Sequence, residues 1–298
     1  MDVLDGGAPQ GAGEDASPAT VAQAHQEGWF RGAGGLALFR QTWRPAGPAR
    51  AILINVHGLG DHSGLYPTLV DHFTARGIAV YALDVRGNGR SSGQRGHVER
   101  WEEYREDLER FVALVHHEEP GRPIFLLGNS LGGLIVLDYV LHRPQRIRGV
   151  IAASPPLGRL GVPAPMLALG RVLSRVWPRF SVRTGMDLSG LARDPVVVQT
   201  VLADPLFHRM GTARLSTEVV AAIARVQAGA PRFPRPLLVL HGSADRMVPP
   251  DGSRAFMARV GQPDRELREY AGAFHVLFAD LDRERVLTDV ERWIAARL

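Results

Sequence analysis

The chain has 298 residues, 45% of them hydrophobic, a formal net charge of +4 and no cysteine. Cysteine's absence excludes disulfides, thiol nucleophiles and Cys-zinc sites. All 35 positive side chains are arginine, spread without a long basic block, so nucleic-acid binding is not expected, and no stretch reaches transmembrane length.

Residues 1–25 are rich in Gly, Ala, Asp, Gln and Pro and read as a disordered tail, without the basic and apolar regions of a secretory signal. Residues 27–31 and 36–43 read as a hairpin across Gly32-Ala33-Gly34-Gly35. A buried strand at 51–56 runs into His57-Gly58-Leu59-Gly60-Asp61-His62-Ser63-Gly64. A helix at about 66–76, a strand at 78–83 and a charged amphipathic helix at 100–117 follow.

Ile124-Phe125-Leu126-Leu127 then leads into Gly128-Asn129-Ser130-Leu131-Gly132, and an apolar helical run follows. A G-x-S-x-G between strand and helix reads as a nucleophile elbow. Glycines at 128 and 132 avoid collisions where the backbone passes close to the serine. The helix N-terminus adds positive potential where an oxyanion would form. Without that context the same five residues would be a glycine-rich turn with an inert serine.

Another strand is expected at 150–153. The strand-helix alternation predicts an α/β fold with a mostly parallel central sheet and helices on both faces. It breaks at Pro155-Pro156, and residues 156–232 read as helices with no strand. In residues 166–177, Met166, Leu169, Val172, Leu173, Val176 and Trp177 share one helical face, with Arg171 and Arg175 opposite. Residues 217–227 repeat the pattern with Val219, Val220, Ile223 and Val226. The reading is a helical cap over an active site, inserted in a core of residues 26–155 and 233–298, with Met166, Leu169, Val172 and Val176 as its expected substrate contacts. Packing of that face inside the cap is the plainer expectation; contact with a membrane surface is the other.

The sheet resumes at 237–240 and ends at His241-Gly242-Ser243-Ala244-Asp245; a short strand at 267–270 leads to Gly272-Ala273-Phe274-His275, and a helix closes the chain. Ser130, Asp245 and His275 each follow a strand end, where parallel-sheet proteins gather their sites. Serine, aspartate, histidine is the α/β-hydrolase order, and His275 is the only histidine after Asp245. The serine needs a base and the base an orienting acid. The backbone N–H groups of Leu131 and Leu59 are the expected oxyanion hole.

Residues 27–298 resemble the monoacylglycerol lipase and lysophospholipase branch of the serine α/β hydrolases. Residues 57–64 are similar to its HGxGEHSG, residues 84–91 to DxRGHGxS, and residues 242–248 and 272–277 to its acid and base motifs. Asp204-Pro205-Leu206 is similar to a motif of the family's cap. The resemblance implies a cofactor-free serine esterase with a helical lid, acting on monoacylglycerol first and lysophospholipid second. Four positions depart from the pattern: Asn129 and Asn88 replace His, Asp61 replaces Glu, and Leu65 replaces the Arg that helps hold glycerol in the mammalian enzymes. Asn129 joins the cap residues as an expected substrate contact.

The alternatives are a general carboxylesterase, acyl transfer to an alcohol, and a non-catalytic binding module on the same fold, which would have no need of the triad. A metal at His57, Asp61 and His62 is disfavoured because Leu59 interrupts the H-x-H-x-D-H pattern. No cofactor or metal is expected. The expected partner is a small-molecule lipid ester, and the expected location is the cytoplasm or a membrane surface; the sequence leaves the oligomeric state open.

Overall fold

The computed structural model describes residues 24–158 and 164–298. Most of the predicted tail lies outside those residues. Its last two positions do not: strand β1 (Ala24–Arg31) starts at Ala24 and pairs antiparallel with β2 (Ala37–Arg44). His25 is held there by stacking on Trp43 with ring centroids 5.0 Å apart and by a 3.0 Å hydrogen bond to Gln41.

The remaining core strands are β3 (Ala51–Val56), β4 (Ile78–Leu83), β5 (Ile124–Asn129), β6 (Ile147–Ala153), β9 (Leu237–Gly242) and β10 (Arg265–Tyr270). The sheet order is β1-β2-β4-β3-β5-β6-β9-β10, parallel from β4 onward, with the hairpin antiparallel at one edge. The central strands are apolar throughout because both faces are covered. Period-2 alternation sorts their side chains between two layers. Ile52, Ile54, Leu126 and Val239 pack with α2 (Glu102–Glu118) and α3 (Leu131–His142). Leu53, Phe125, Leu127 and Leu238 pack with α1 (Pro67–Thr74) and α8 (Arg283–Ala295).

Between β6 and β9 lie α4 (Ala164–Val176), β7 (Ser181–Arg183), α5 (Pro195–Ala203), β8 (Met210–Thr212) and α6 (Ala213–Gly229). The expectation of no strand is corrected here, since β7 and β8 pair antiparallel. Three residues are too few for a periodic signal. After β9 comes the short helix α7 (Asp251–Met257).

The larger correction concerns α4. Met166, Leu169, Val172, Val176 and Trp177 are 55–73% exposed. They neither pack inside the cap nor line the active-site cavity. The helix instead turns buried Ser174 inward, with Leu167 and Leu173 half-buried, and Ser174 Oγ lies 2.8 Å from Thr217 Oγ1 on α6. Its bulky stripe is therefore the outer face, apart from half-buried Leu173.

Candidate active site

Ser130 stands between β5 and α3 with φ 53° and ψ −120°. This is sparsely allowed backbone for a non-glycine residue, costing about 1–3 kcal/mol. The surroundings enforce it. A Cβ on Gly128 would lie 2.3 Å from Gly132 O, and one on Gly132 would lie 2.0 Å from Val56 O. Only glycine lets the helix press this closely on β3 and β5. The turn is tied by Ser130 N–H donating to Ala153 O at 2.8 Å.

His275 follows β10 and Asp245 follows β9, so adjacent parallel strands deliver both to one end of the sheet. The imidazole Nδ1–H donates to Asp245 Oδ2 at 2.7 Å. That tautomer leaves Nε2 as the basic nitrogen. Asp245 Oδ1 accepts from Met247 N–H at 2.9 Å and Val248 N–H at 2.8 Å. Burial alone raises the Asp245 pKa, but hydrogen bonds from His241 and His275 outweigh it and hold the group well below the usual carboxylate range. The acid is therefore charged wherever the enzyme would work, suited to stabilising a positive imidazole.

Ser130 and His275 face the same cavity, of about 520 Å³. Among the described residues no hydrogen bond joins Ser130 Oγ to the imidazole; such contacts are often long before substrate binds. Gly58 closes the other side: a Cβ there would lie 3.2 Å from Ser130 Cβ. The amides of Leu59 and Leu131 flank the serine and donate to no protein group among the described residues. Both are free to receive an oxyanion.

The 57–64 loop is otherwise tied to protein. His57 Nδ1 donates to Gly58 O at 2.7 Å while Nε2 accepts from Val85 N–H at 2.8 Å. Tyr66 OH donates to Asp61 at 2.7 Å, and His62 Nε2 donates to Asp204 at 3.0 Å. These bonds use both nitrogens of His57, Nε2 of His62 and one oxygen of Asp61.

Asn129 reaches the cavity wall; it is buried, and its Oδ1 has no protein partner. Met166, Leu169, Val172 and Val176, expected there too, do not reach it. The wall opposite the core comes from residues that sequence reasoning passed over: Met186, Leu191, Val197, Val201 and Phe207. Asp194 and Pro195 are a legible helix start, with Asp194 accepting from Val196 N–H at 2.9 Å. Nothing in the sequence showed where α5 would lie.

The same segment grips the histidine loop. Val276 N–H donates to Leu191 O at 2.8 Å and His275 N–H to Gly190 O at 3.3 Å. Buried Asp280 accepts from Arg193 N–H and Nε at 2.9 Å each and from Phe274 N–H at 3.1 Å. Burial raises the Asp280 pKa, but these donors bring it below the ordinary carboxylate value. Its stabilisation is thus fully present above the unfolded pKa of about 4 and is lost as pH falls through the lower folded value. Asp280→Ala should cost about 2 kcal/mol: the amides of Arg193, Phe274 and Leu281 and Arg193 Nε lose their acceptor, while the Arg193 guanidinium keeps Asp282. Denaturant unfolding at pH 7 checks this; a loss under ~1 kcal/mol would contradict the role given to Asp280.

The family profile described as "serine aminopeptidase, S33" matches residues 47–282. The monoacylglycerol lipase of Mycolicibacterium smegmatis is 33% identical over 283 residues, covering 93% of this chain and all of that protein. The crystal structure of Paleococcus ferrophilus monoacylglycerol lipase superposes with a TM-score of 0.81 at 35% identity, covering 88% of this chain and 99% of that one. A soluble variant of Saccharomyces cerevisiae monoglyceride lipase, solved with a substrate analog, gives 0.83 at 25% identity over 96% and 99%. A strained serine at the elbow, an Asp-His pair beside it and relatives matched over nearly their whole length have one explanation in common: the chain belongs to the monoacylglycerol lipase family of serine α/β hydrolases.

Proposed function

We propose that the protein hydrolyses single-chain lipid esters, with monoacylglycerol its preferred class, through an acyl-enzyme on Ser130. The observation that carries this reading is an apolar-walled cavity faced by Ser130, the Asp245-paired His275 and Leu59, whose amide, like that of Leu131 next to the serine, donates to no protein group among the described residues. His275 Nε2 takes the serine proton as Ser130 Oγ attacks the ester carbonyl. Leu59 and Leu131 N–H hold the oxyanion. The imidazolium then returns the proton to the leaving alcohol, and water repeats the sequence on the acyl-enzyme.

The lining favours a neutral head group. Asp61, Asp194 and Asp204 face the cavity against Arg283 as its one arginine. Asp204 is paired with His62 and burial raises the Asp61 pKa, so the lining offers a phosphate a single arginine and no cluster of cations, whereas glycerol hydroxyls suit Asn129 Oδ1 and the carboxylates. A panel of 1-monoacylglycerols, lysophosphatidylglycerols and short p-nitrophenyl esters tests this. Monoacylglycerol should show the highest kcat/KM; faster lysophospholipid turnover would overturn the head-group reading.

Residues 156–232 are read as the cap, with α5 rather than α4 lining the acyl path. Burying acyl chain there contributes about 0.8 kcal/mol per CH₂ at most. Val197→Asp combined with Val201→Asp should therefore cut long-chain kcat/KM by roughly 10²-fold, leaving short esters within about threefold. Equal loss on both, in protein shown to be folded, would mean that α5 does not line the acyl path.

The outer face of α4 has a different reading. No helix of the described residues is long and apolar enough to cross a membrane. Five exposed apolar side chains beside Arg171 and Arg175 suit shallow docking on a lipid surface that supplies substrate. Val172→Asp with Val176→Asp should lower the vesicle-bound fraction severalfold without changing turnover of a soluble ester. Unchanged vesicle binding would remove this role.

A further inference from the structure

Leu59 offers one of the two oxyanion amides, and both of its neighbours are held from outside it. On the N-terminal side, Gly58 O accepts from His57 Nδ1 at 2.7 Å and from Asp61 N–H at 3.3 Å. On the C-terminal side, Gly60 N–H donates to Asn88 Oδ1 at 3.0 Å, and Gly60 O accepts from His208 N–H at 3.0 Å. His208 lies between α5 and β8, in the segment inserted between the sheet strands.

The ring of His208 completes the clamp. Its Nε2–H donates to the same Asn88 Oδ1 at 2.8 Å, and its Nδ1 accepts from Met210 N–H at 3.1 Å. Asn88 is buried and cannot turn its oxygen away, because its Nδ2 donates to Val85 O at 3.2 Å and Arg86 O at 2.9 Å. The tautomer follows from this network. A neutral ring, donating at one nitrogen and accepting at the other, fits every partner. Burial first, and Arg95 second, lower the ring's pKa to about 4. The approach is also close: Gly60 has φ +80°, and a Cβ there would lie 1.9 Å from His208 O. Position 60 is therefore shaped around the inserted segment, not only around the core.

We propose that His208 is a positioning residue for ester hydrolysis: through Asn88 and Gly60 it fixes the direction of the Leu59 N–H, tying the inserted segment to the oxyanion hole. The proposal rests on the serine-hydrolase reading above. An oxyanion donor helps only while it is aimed at developing charge, and losing one outright costs about 10²–10³ in kcat. Loosening it should cost less, about 10- to 50-fold. The loss falls on kcat rather than KM, because the charge it meets develops after binding. It also falls on short esters, so the core alone does not suffice even for small substrates.

The experiment compares His208→Phe, His208→Gln, Asn88→Ala and the His208→Phe/Asn88→Ala double variant with wild type. It measures kcat and KM on a soluble short-chain p-nitrophenyl ester, the rate of Ser130 phosphonylation by a fluorophosphonate, and Tm. His208→Phe keeps a ring but removes both nitrogens. It should lose about 10- to 50-fold in kcat and in phosphonylation rate, with KM within about twofold. His208→Gln, which keeps a donor within reach of Asn88, should recover most of that loss. The double variant should lose little more than the worse single, since both act through Gly60.

Wild-type kcat and phosphonylation in folded His208→Phe would overturn the proposal. So would a loss confined to KM, or a glutamine variant no better than phenylalanine. Should His208→Phe fail to fold, His208→Leu, which also removes both ring nitrogens, is read by the same criteria. Fluorophosphonate labelling of wild-type Ser130 keeps the serine-hydrolase reading intact whatever the His208 variants show. Its absence would remove that reading first.

Discussion

Ser130→Ala is expected to lower ester turnover by about 10⁴-fold or more and to abolish acyl-enzyme formation. The cause is chemical, not structural. Among the described residues the serine hydroxyl has no hydrogen-bond partner, and the turn is held by backbone bonds and by Gly128 and Gly132. Alanine loses only the oxygen and keeps the same Cβ at φ 53°. Tm should therefore stay within a few degrees of wild type. Residual activity should reflect the oxyanion amides and binding alone, still above the uncatalysed rate. Turnover of one short and one long ester by purified, folded variant checks this. Near wild-type rates would show that another group attacks the ester.

Asp245→Asn should cost roughly 10⁴-fold in kcat. The carboxylate receives His275 Nδ1–H, two backbone amides, and a contact from His241 Nε2 at 3.4 Å. An asparagine that turns its NH₂ toward the imidazole would demand a lone pair at Nδ1. The proton would then sit on Nε2, where a base is needed, and the imidazolium would lose its counter-charge. Asp251→Asn is the control. Asp251 also follows β9, but its side chain is 82% exposed and pairs with Arg254 across one helical turn. It should keep activity within about twofold. A larger loss at Asp251 than at Asp245 would move the acid to Asp251.

The parts of this molecule that sequence made legible are those where chemistry leaves few choices. Strands β3 to β6 and β9 are buried on both faces, so they read as continuous apolar runs. Ser130 was findable because glycines bracket it between a strand and a helix. Asp245 and His275 were findable because both follow strand ends. The segment between β6 and β9 was legible only as an interruption. Periodicity gave α4 an apolar stripe but not the side that stripe would face. The buried contact to α6 is made by Ser174, and a small polar residue leaves no hydrophobic pattern. Helix α5 begins Pro195-Val196-Val197-Val198, β-branched residues that suit a strand as well as a helix. Its place over the cavity depends on Arg193 reaching Asp280, more than eighty residues away. The clamp of His208 on Asn88 joins residues 120 apart in sequence, and neither belonged to a pattern that singled out the other.

The central claim is that Ser130 is the nucleophile of an esterase whose cavity accepts a lipid acyl chain. The most direct measurement is peptide mapping after reaction with a fluorophosphonate, with and without a long-chain 1-monoacylglycerol as competitor. The account predicts one adduct, on the peptide containing Ser130, formed more slowly when the monoacylglycerol is present. An adduct on another serine, or sustained ester hydrolysis with Ser130 unmodified and the inhibitor in excess, would contradict it.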